Sequence, residues 1–98
     1  MAVPVTVVAT IRAKPGREAE TRAVLEGLLA KTRVEAGCLN YDLHVAADDP
    51  GTFLFHENWE SKAHLDRHLE SEHLTAFKAR FDELLREHPA IDLYERIG

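Results

Sequence analysis

Only one of the 98 residues is a cysteine, Cys38, so no disulfide can form within the chain. A lone thiol of this kind is ordinarily a small packed residue of a protein kept in a reducing compartment. Positive charge is also scarce: 12 Lys and Arg face 17 Asp and Glu, for a net charge of −5. That balance argues against nucleic acid or an anionic membrane as partner, since both demand a basic surface. No apolar run approaches the ~20 residues that cross a bilayer. The first residues, MAVPVTVVATIRA, lack a basic n-region and read as a strand rather than a secretory signal. Linkers, low-complexity tracts and solenoid-period repeats are missing as well. The expectation is a single soluble, cytoplasmic domain over residues 1–98, with no membrane or nucleic-acid partner. At 45% apolar residues it has enough to build its own core.

Taken in order, Val3 to Arg12 is rich in β-branched residues and closes at Lys14-Pro15-Gly16, which predicts a first strand with Val5, Val7, Ala9 and Ile11 on one face. Pro15 and Gly37 then bracket a helix of about twenty residues, with Gly37 as its C-cap. Its apolar stripe is Thr21, Leu25, Leu28 and Thr32, widened by Val24 and Leu29. Leu39, Tyr41, Leu43 and Val45 alternate with polar residues as a second strand, and Asp48-Asp49-Pro50-Gly51 reads as the turn to a third. Ser71 is N-cap chemistry, so a break near Glu70 precedes a last helix running to about Glu87 with Leu74, Phe77, Phe81, Leu84 and Leu85 as its stripe. His88-Pro89 stops it, and Ile91, Leu93, Glu95 and Ile97 alternate as a final strand.

The order β-α-β-β-α-β predicts an α+β, ferredoxin-like split βαβ fold, with an antiparallel four-stranded sheet and helices on one face. The other face would carry Thr6, Val8, Thr10, Asn40, His44, Leu54, His56 and Asn58. This mixture is too apolar for plain solvent surface, and a homodimer formed by pairing two sheets would cover it.

The stretch FLFHENWESKAHLDRHLESEH, residues 53–73, carries most of the chemistry. Phe53, Phe55, Glu57 and Trp59 share one strand face at a period of two, placing a carboxylic acid among three aromatics. Such a Glu is costly to bury unless something pairs with it. Ser61 is an N-cap, and His64 and His68 follow one helical turn apart. Two readings fit: a small catalytic site, or a core with a few polar groups paired inside it.

The strand-one start followed by KPG at 14–16, EAGCLNYDL at 35–43, FHENWES at 55–61 and AHLDRHLESEH at 63–73, with the spacing His68-x-x-Ser71-x-His73, resemble the antibiotic biosynthesis monooxygenase family. Within it the chain is most similar to the quinol monooxygenase-like branch of the dimeric α+β barrels. The resemblance implies cofactor-independent oxidation of a small quinol or other dihydroxyaromatic by molecular oxygen in a homodimer, with no cofactor. An enzyme of this kind needs a base with a pKa near working pH, a dry apolar slot and an orienting polar group. His68 is the expected base. Glu57 is expected to fix the His68 tautomer or act as a second acid-base group. Trp59, Tyr41 and Phe55 would form an aromatic wall, with His64 and His73 as further substrate contacts. Packing and internal ion pairing remain the other reading of each. His44 and His56 fall on the opposite sheet face. No metal is expected: His64 and His68 have the i, i+4 spacing, but Leu65 stands where a zinc-protease Glu belongs and no third ligand follows. Haem degradation is disfavoured too, because the positions matching that branch hold Ala9, His68 and Lys78. The alternatives to oxygenation are an isomerase or degrading enzyme for a small signal molecule, and a non-catalytic small-molecule-binding dimer.

Overall fold

The computed structural model describes residues 3–98. Four strands, β1 (Val5–Arg12), β2 (Cys38–Ala46), β3 (Asp49–Trp59) and β4 (Ala90–Tyr94), pair antiparallel in the order β2-β3-β1-β4. Five short helices cover one face: α1 (Glu18–Glu26), α2 (Leu29–Arg33), α3 (Lys62–Leu69), α4 (Glu72–Lys78) and α5 (Phe81–Leu84). This is the expected split βαβ arrangement. β1 and β2, linked through the first two helices, are separated in the sheet by β3, which lies between them.

Alternation sets the faces. Val7, Ala9 and Ile11 of β1, Tyr41 of β2 and Phe53, Phe55, Glu57 and Trp59 of β3 are all buried beneath the helices. Between them lie the outward residues. Thr6, Val8, Thr10, Asn40, Leu54, His56 and Asn58 are half-buried, while His44 is exposed. Three of these form a polar ladder across the sheet. The Thr6 hydroxyl donates to Asn58 Oδ1 at 2.5 Å, and Asn58 Nδ2 donates to Asn40 Oδ1 at 2.7 Å. Asn40 Nδ2 in turn reaches the His56 carbonyl at 3.0 Å.

Several boundaries differ from expectation, each for a visible reason. The single helix after Pro15 is two, because at Gly27 the ladder tightens and Leu28 N–H bonds the Leu25 carbonyl three residues back. The stripe survives the break, and Thr21, Leu25, Leu28 and Thr32 are all buried. The hairpin turns at Ala47-Asp48 rather than at Asp48–Gly51. There the Asp49 carboxylate accepts from Gly51 N–H at 2.9 Å and the Thr52 hydroxyl at 2.7 Å, so the turn chemistry instead shapes the first residues of β3. A bulge at the start of β2 sets Cys38 opposite Trp59 and pushes Leu39 out to 56% exposure, removing it from the core. The last helix stops at Lys78, and only the single turn α5 follows. Leu85 turns extended because Lys14 N–H bonds the Leu84 carbonyl and Arg86 N–H bonds that of Arg12, docking this segment on the end of β1. The final strand ends at Tyr94, three residues short of Ile97.

Gly37 is not the helix C-cap that its position suggests, since Val34 holds that place. It sits in the loop entering β2 with φ at +82°, and a Cβ there would overlap the His64 ring. Gly37→Ala therefore meets both a left-handed backbone cost of about 1–2 kcal/mol and a steric one. Urea unfolding of Gly37→Ala, His64→Ala and the double variant tests this: the double variant should lose clearly less stability than the two single losses summed. Additive losses would show that the imidazole is not what Gly37 makes room for.

Candidate functional site

Between the helical layer and the sheet lies a cavity of about 230 Å³. Its floor is Val7, Ala9 and Ile11 of β1 with Tyr41, Phe55 and Glu57. Its roof is Leu65, His68 and Leu69 of α3 with Leu74, Phe77 and Lys78 of α4, and Phe81, His88, Pro89 and Ile91 close one end. The lining is mostly apolar; its titratable groups are Tyr41, Glu57 and His68 between floor and roof, with Lys78 on the roof and His88 at the closed end.

β3 and α3 place the two central groups. Glu57 lies on the inward face of β3 by alternation, and His68 lies one turn beyond the inward Leu65 on α3. The entry angle of α3 is set by the Ser61 cap, whose hydroxyl accepts from His64 N–H. Both are almost wholly buried, Glu57 at 4% and His68 at 2% exposure. Trp59 connects them. Its Nε1–H donates to Glu57 Oε1 at 2.9 Å, and its ring stacks on His68 with centroids 4.6 Å apart and planes at 29°. Tyr41 stacks on Phe55 at 4.5 Å and meets His68 edge-on at 5.4 Å.

The carboxylate partner of His68 is Glu35, not Glu57. His68 Nδ1 lies 2.7 Å from Glu35 Oε2, which also receives His73 Nε2 at 3.2 Å. Thr32 Oγ1 stands 3.2 Å from that same His73 nitrogen. With Nδ1 donating to the carboxylate, the lone pair of the neutral imidazole is on Nε2, the nitrogen left for the cavity. Burial drives the pKa values of the two groups in the direction of their neutral forms. It pushes the Glu57 carboxyl up to about 7, against the Trp59 N–H that favours the anion. It lowers His68 below its ordinary value, opposed by the Glu35 carboxylate. Desolvation likewise raises the Tyr41 phenol far above its usual range, so it stays neutral.

Of the residues expected at the site, His68, Glu57, Tyr41 and Phe55 line the cavity together. Trp59 does not: it is fully buried behind Glu57 and His68 and acts on both from outside. His64 is also elsewhere, its Nδ1 held 2.7 Å from Ser61 Oγ at the start of α3. His73 faces Glu35 and Thr32 rather than the cavity. Glu35 went unnoticed in the sequence, although it continues the buried stripe of Thr21, Leu25, Leu28 and Thr32 by one more step of three. Ala9, His68 and Lys78, the positions weighed for haem, do all line the cavity.

Known proteins resemble this chain in sequence and in fold. The pattern of the family described as Antibiotic biosynthesis monooxygenase matches residues 4–80. A Mycobacterium tuberculosis protein named "Putative monooxygenase Rv0793" is 36% identical over 91 residues, spanning 93% of this chain and 89% of that protein. Its solved structure superposes with a TM-score of 0.90, covering 97% of this chain and 96% of that one. PA3566 from Pseudomonas aeruginosa superposes with a TM-score of 0.94 at 39% identity, covering 100% of this chain and 98% of that one.

The buried carboxyl has a consequence for stability. Between the ordinary carboxyl pKa of 4.5 and about 7, the folded chain keeps a Glu57 proton that the unfolded chain has released. The Glu57 contribution to stability must therefore fall as pH rises through that window and level off above it. Glu57→Gln retains an acceptor for Trp59 but cannot ionise. Relative to wild type it should gain on the order of 2–3 kcal/mol between about pH 5 and about pH 8, read by urea unfolding at both. An unchanged difference between the two proteins at the two pH values would mean that Glu57 is ionised without penalty in the fold.

Proposed function

The chain belongs to the antibiotic biosynthesis monooxygenase family, and on that premise we propose that it oxidises a small quinol or related dihydroxyaromatic with molecular oxygen and no cofactor. The observation that carries the reading is the Glu35–His68 pair at the edge of an apolar cavity. A dry apolar cavity of about 150 Å³ is enough to hold benzene, so about 230 Å³ suits a substituted ring.

His68 Nε2 takes a phenolic proton while Glu35 steadies the imidazolium through Nδ1–H. The electron-rich anion adds oxygen at a ring carbon bearing hydrogen. Glu57, with a pKa of about 7, is able to donate a proton as the O–O bond breaks. One oxygen atom stays on the ring as a carbonyl, the other leaves as water, and the substrate supplies all four electrons. Tyr41 and Phe55 flank the ring, and the apolar walls keep water from the anion. The apolar lining favours this over an isomerase for a small polar signal molecule, which needs a wet, polar cavity. A purely binding role leaves the tautomer-fixing carboxylate without a task.

A second copy of the chain covers the open sheet face in this reading. Its support is the half-buried Val8 and Leu54 on a face that no helix reaches.

Oxygen uptake by metal-stripped protein with a panel of dihydroxyaromatics tests the chemistry. His68→Gln should lower kcat/KM by roughly 10²–10⁴-fold. Glu35→Gln should lower it less and move the ascending limb of the pH profile to lower pH, because the carboxylate no longer raises the imidazole pKa. Near-wild-type uptake by His68→Gln would remove it as the base. The assembly is tested separately: Thr10→Arg, on the open face, should convert a sedimenting dimer to monomers. A dimer that survives it would place the interface elsewhere.

A further inference from the structure

Glu35 Oε2 is shared by two imidazoles that come from different helices. His68 Nδ1 and His73 Nε2 stand 2.7 and 3.2 Å from it, and the three atoms all lie within 4.8 Å of one another. Atoms this close must have positive charge between them. Two N–H protons can supply it, and a divalent ion can supply more. Ligands bound tetrahedrally at about 2.0–2.2 Å lie roughly 3.4 Å from each other, so the two carboxylate contacts of 2.7 and 3.2 Å need only open slightly to admit an ion. Two imidazole nitrogens and one carboxylate are donors that first-row transition ions favour, whereas calcium and magnesium ask for oxygen alone. The donors are also held from outside. Stacking on Trp59 fixes the His68 ring, and the Ser71 cap sets the start of α4, where His73 sits. Thr32 Oγ1 and Ser71 Oγ, 3.2 and 3.4 Å from His73 Nε2, stand where a metal-bound water would find partners.

We propose that Glu35, His68 and His73 form a binding site for a divalent transition ion of the zinc or cobalt class, and that its occupation excludes base action by His68. The metal takes the lone pair of His68 Nδ1, so the single proton of the neutral imidazole must reside on Nε2, where the cavity needs a lone pair. Binding thus switches the tautomer without changing the proton count of that ring. The second half of the proposal rests on His68 being the base; the first half does not. The sequence hides such a site, because its ligands come from the α2–β2 connection, α3 and α4, and the i, i+4 pair His64 and His68 is not it.

The test is a titration of metal-stripped full-length protein with Co²⁺, read by its visible d–d bands, and with Zn²⁺, read by calorimetry. One ion per chain should bind, with affinity lowered at least about tenfold in His73→Gln and in Glu35→Gln. His44→Gln, on the opposite sheet face, should bind as wild type does. Unchanged affinity in both His73→Gln and Glu35→Gln, or no bound ion in folded wild-type protein, overturns the site. Oxygen uptake should be lost as Zn²⁺ fills the site and return on chelation; full uptake by the ion-loaded protein overturns the exclusion. If no dihydroxyaromatic is oxidised at all, the proposed function fails while the titration still decides the site.

Discussion

The candidate site of this molecule depends on burying a carboxyl and an imidazole against the same indole. Trp59 uses its N–H for Glu57 and its face for His68, so neither group can turn without losing contact with it. An acid and a base in a nearly dry interior are each costly in the charged form. The structure answers in two different ways. His68 has Glu35 to accept its N–H and compensate a positive charge. Glu57 has only a neutral donor, and so holds its proton up to about pH 7. The carboxyl is thereby shifted up and the imidazole down, each toward its neutral form, with opposite tasks available to them.

The fold makes this arrangement with few parts. Alternation along β3 puts Glu57 and Trp59 on the same face two residues apart, and the Ser61 cap turns the chain into α3 so that His68 returns over Trp59. Gly37 lets the loop carrying Glu35 pass against the His64 ring, and that loop brings the carboxylate to Nδ1. The break at Gly27 leaves the buried stripe intact, so α2 still directs Thr32 inward, with Glu35 just beyond its end. The segment after α5, pinned to β1 by backbone hydrogen bonds at Lys14 and Arg86, places His88 and Pro89 at the end of the cavity.

Periodicity alone made the architecture legible. The two-residue alternation of Val5–Ile11 and Phe53–Trp59 and the stripe from Thr21 to Thr32 are signals that tertiary structure had only to assemble. The breaks were harder to read because each depends on a partner distant in sequence. The β2 bulge exists to seat Cys38 opposite Trp59, and the extended Leu85 exists because Arg12 and Lys14 supply its ladder. The same reason explains the error over the partner of His68. Glu57 is near in sequence and Glu35 is 33 residues away, and only the stripe phase marked Glu35 as inward. His64 was misplaced by the converse error: a helical i, i+4 pair was read as one face, but the cap serine claims the first member.

The site also explains why the core around it is so uniformly apolar. A Glu57 that resists ionisation and a His68 that resists protonation both weaken the fold under conditions where their charged forms would otherwise prevail. Val7, Leu65, Phe55 and Phe77 supply burial that can offset such a loss, at about 0.8 kcal/mol for each buried CH₂. Polar walls would relax both pKa values toward those of exposed groups and, in the proposed reaction, would admit water to the substrate anion. The same substitutions that would ease the strain on the fold would therefore remove the conditions for the chemistry. On this view the hydrophobic lining does two things at once: it holds the domain together, and it keeps a carboxyl protonated next to a neutral imidazole.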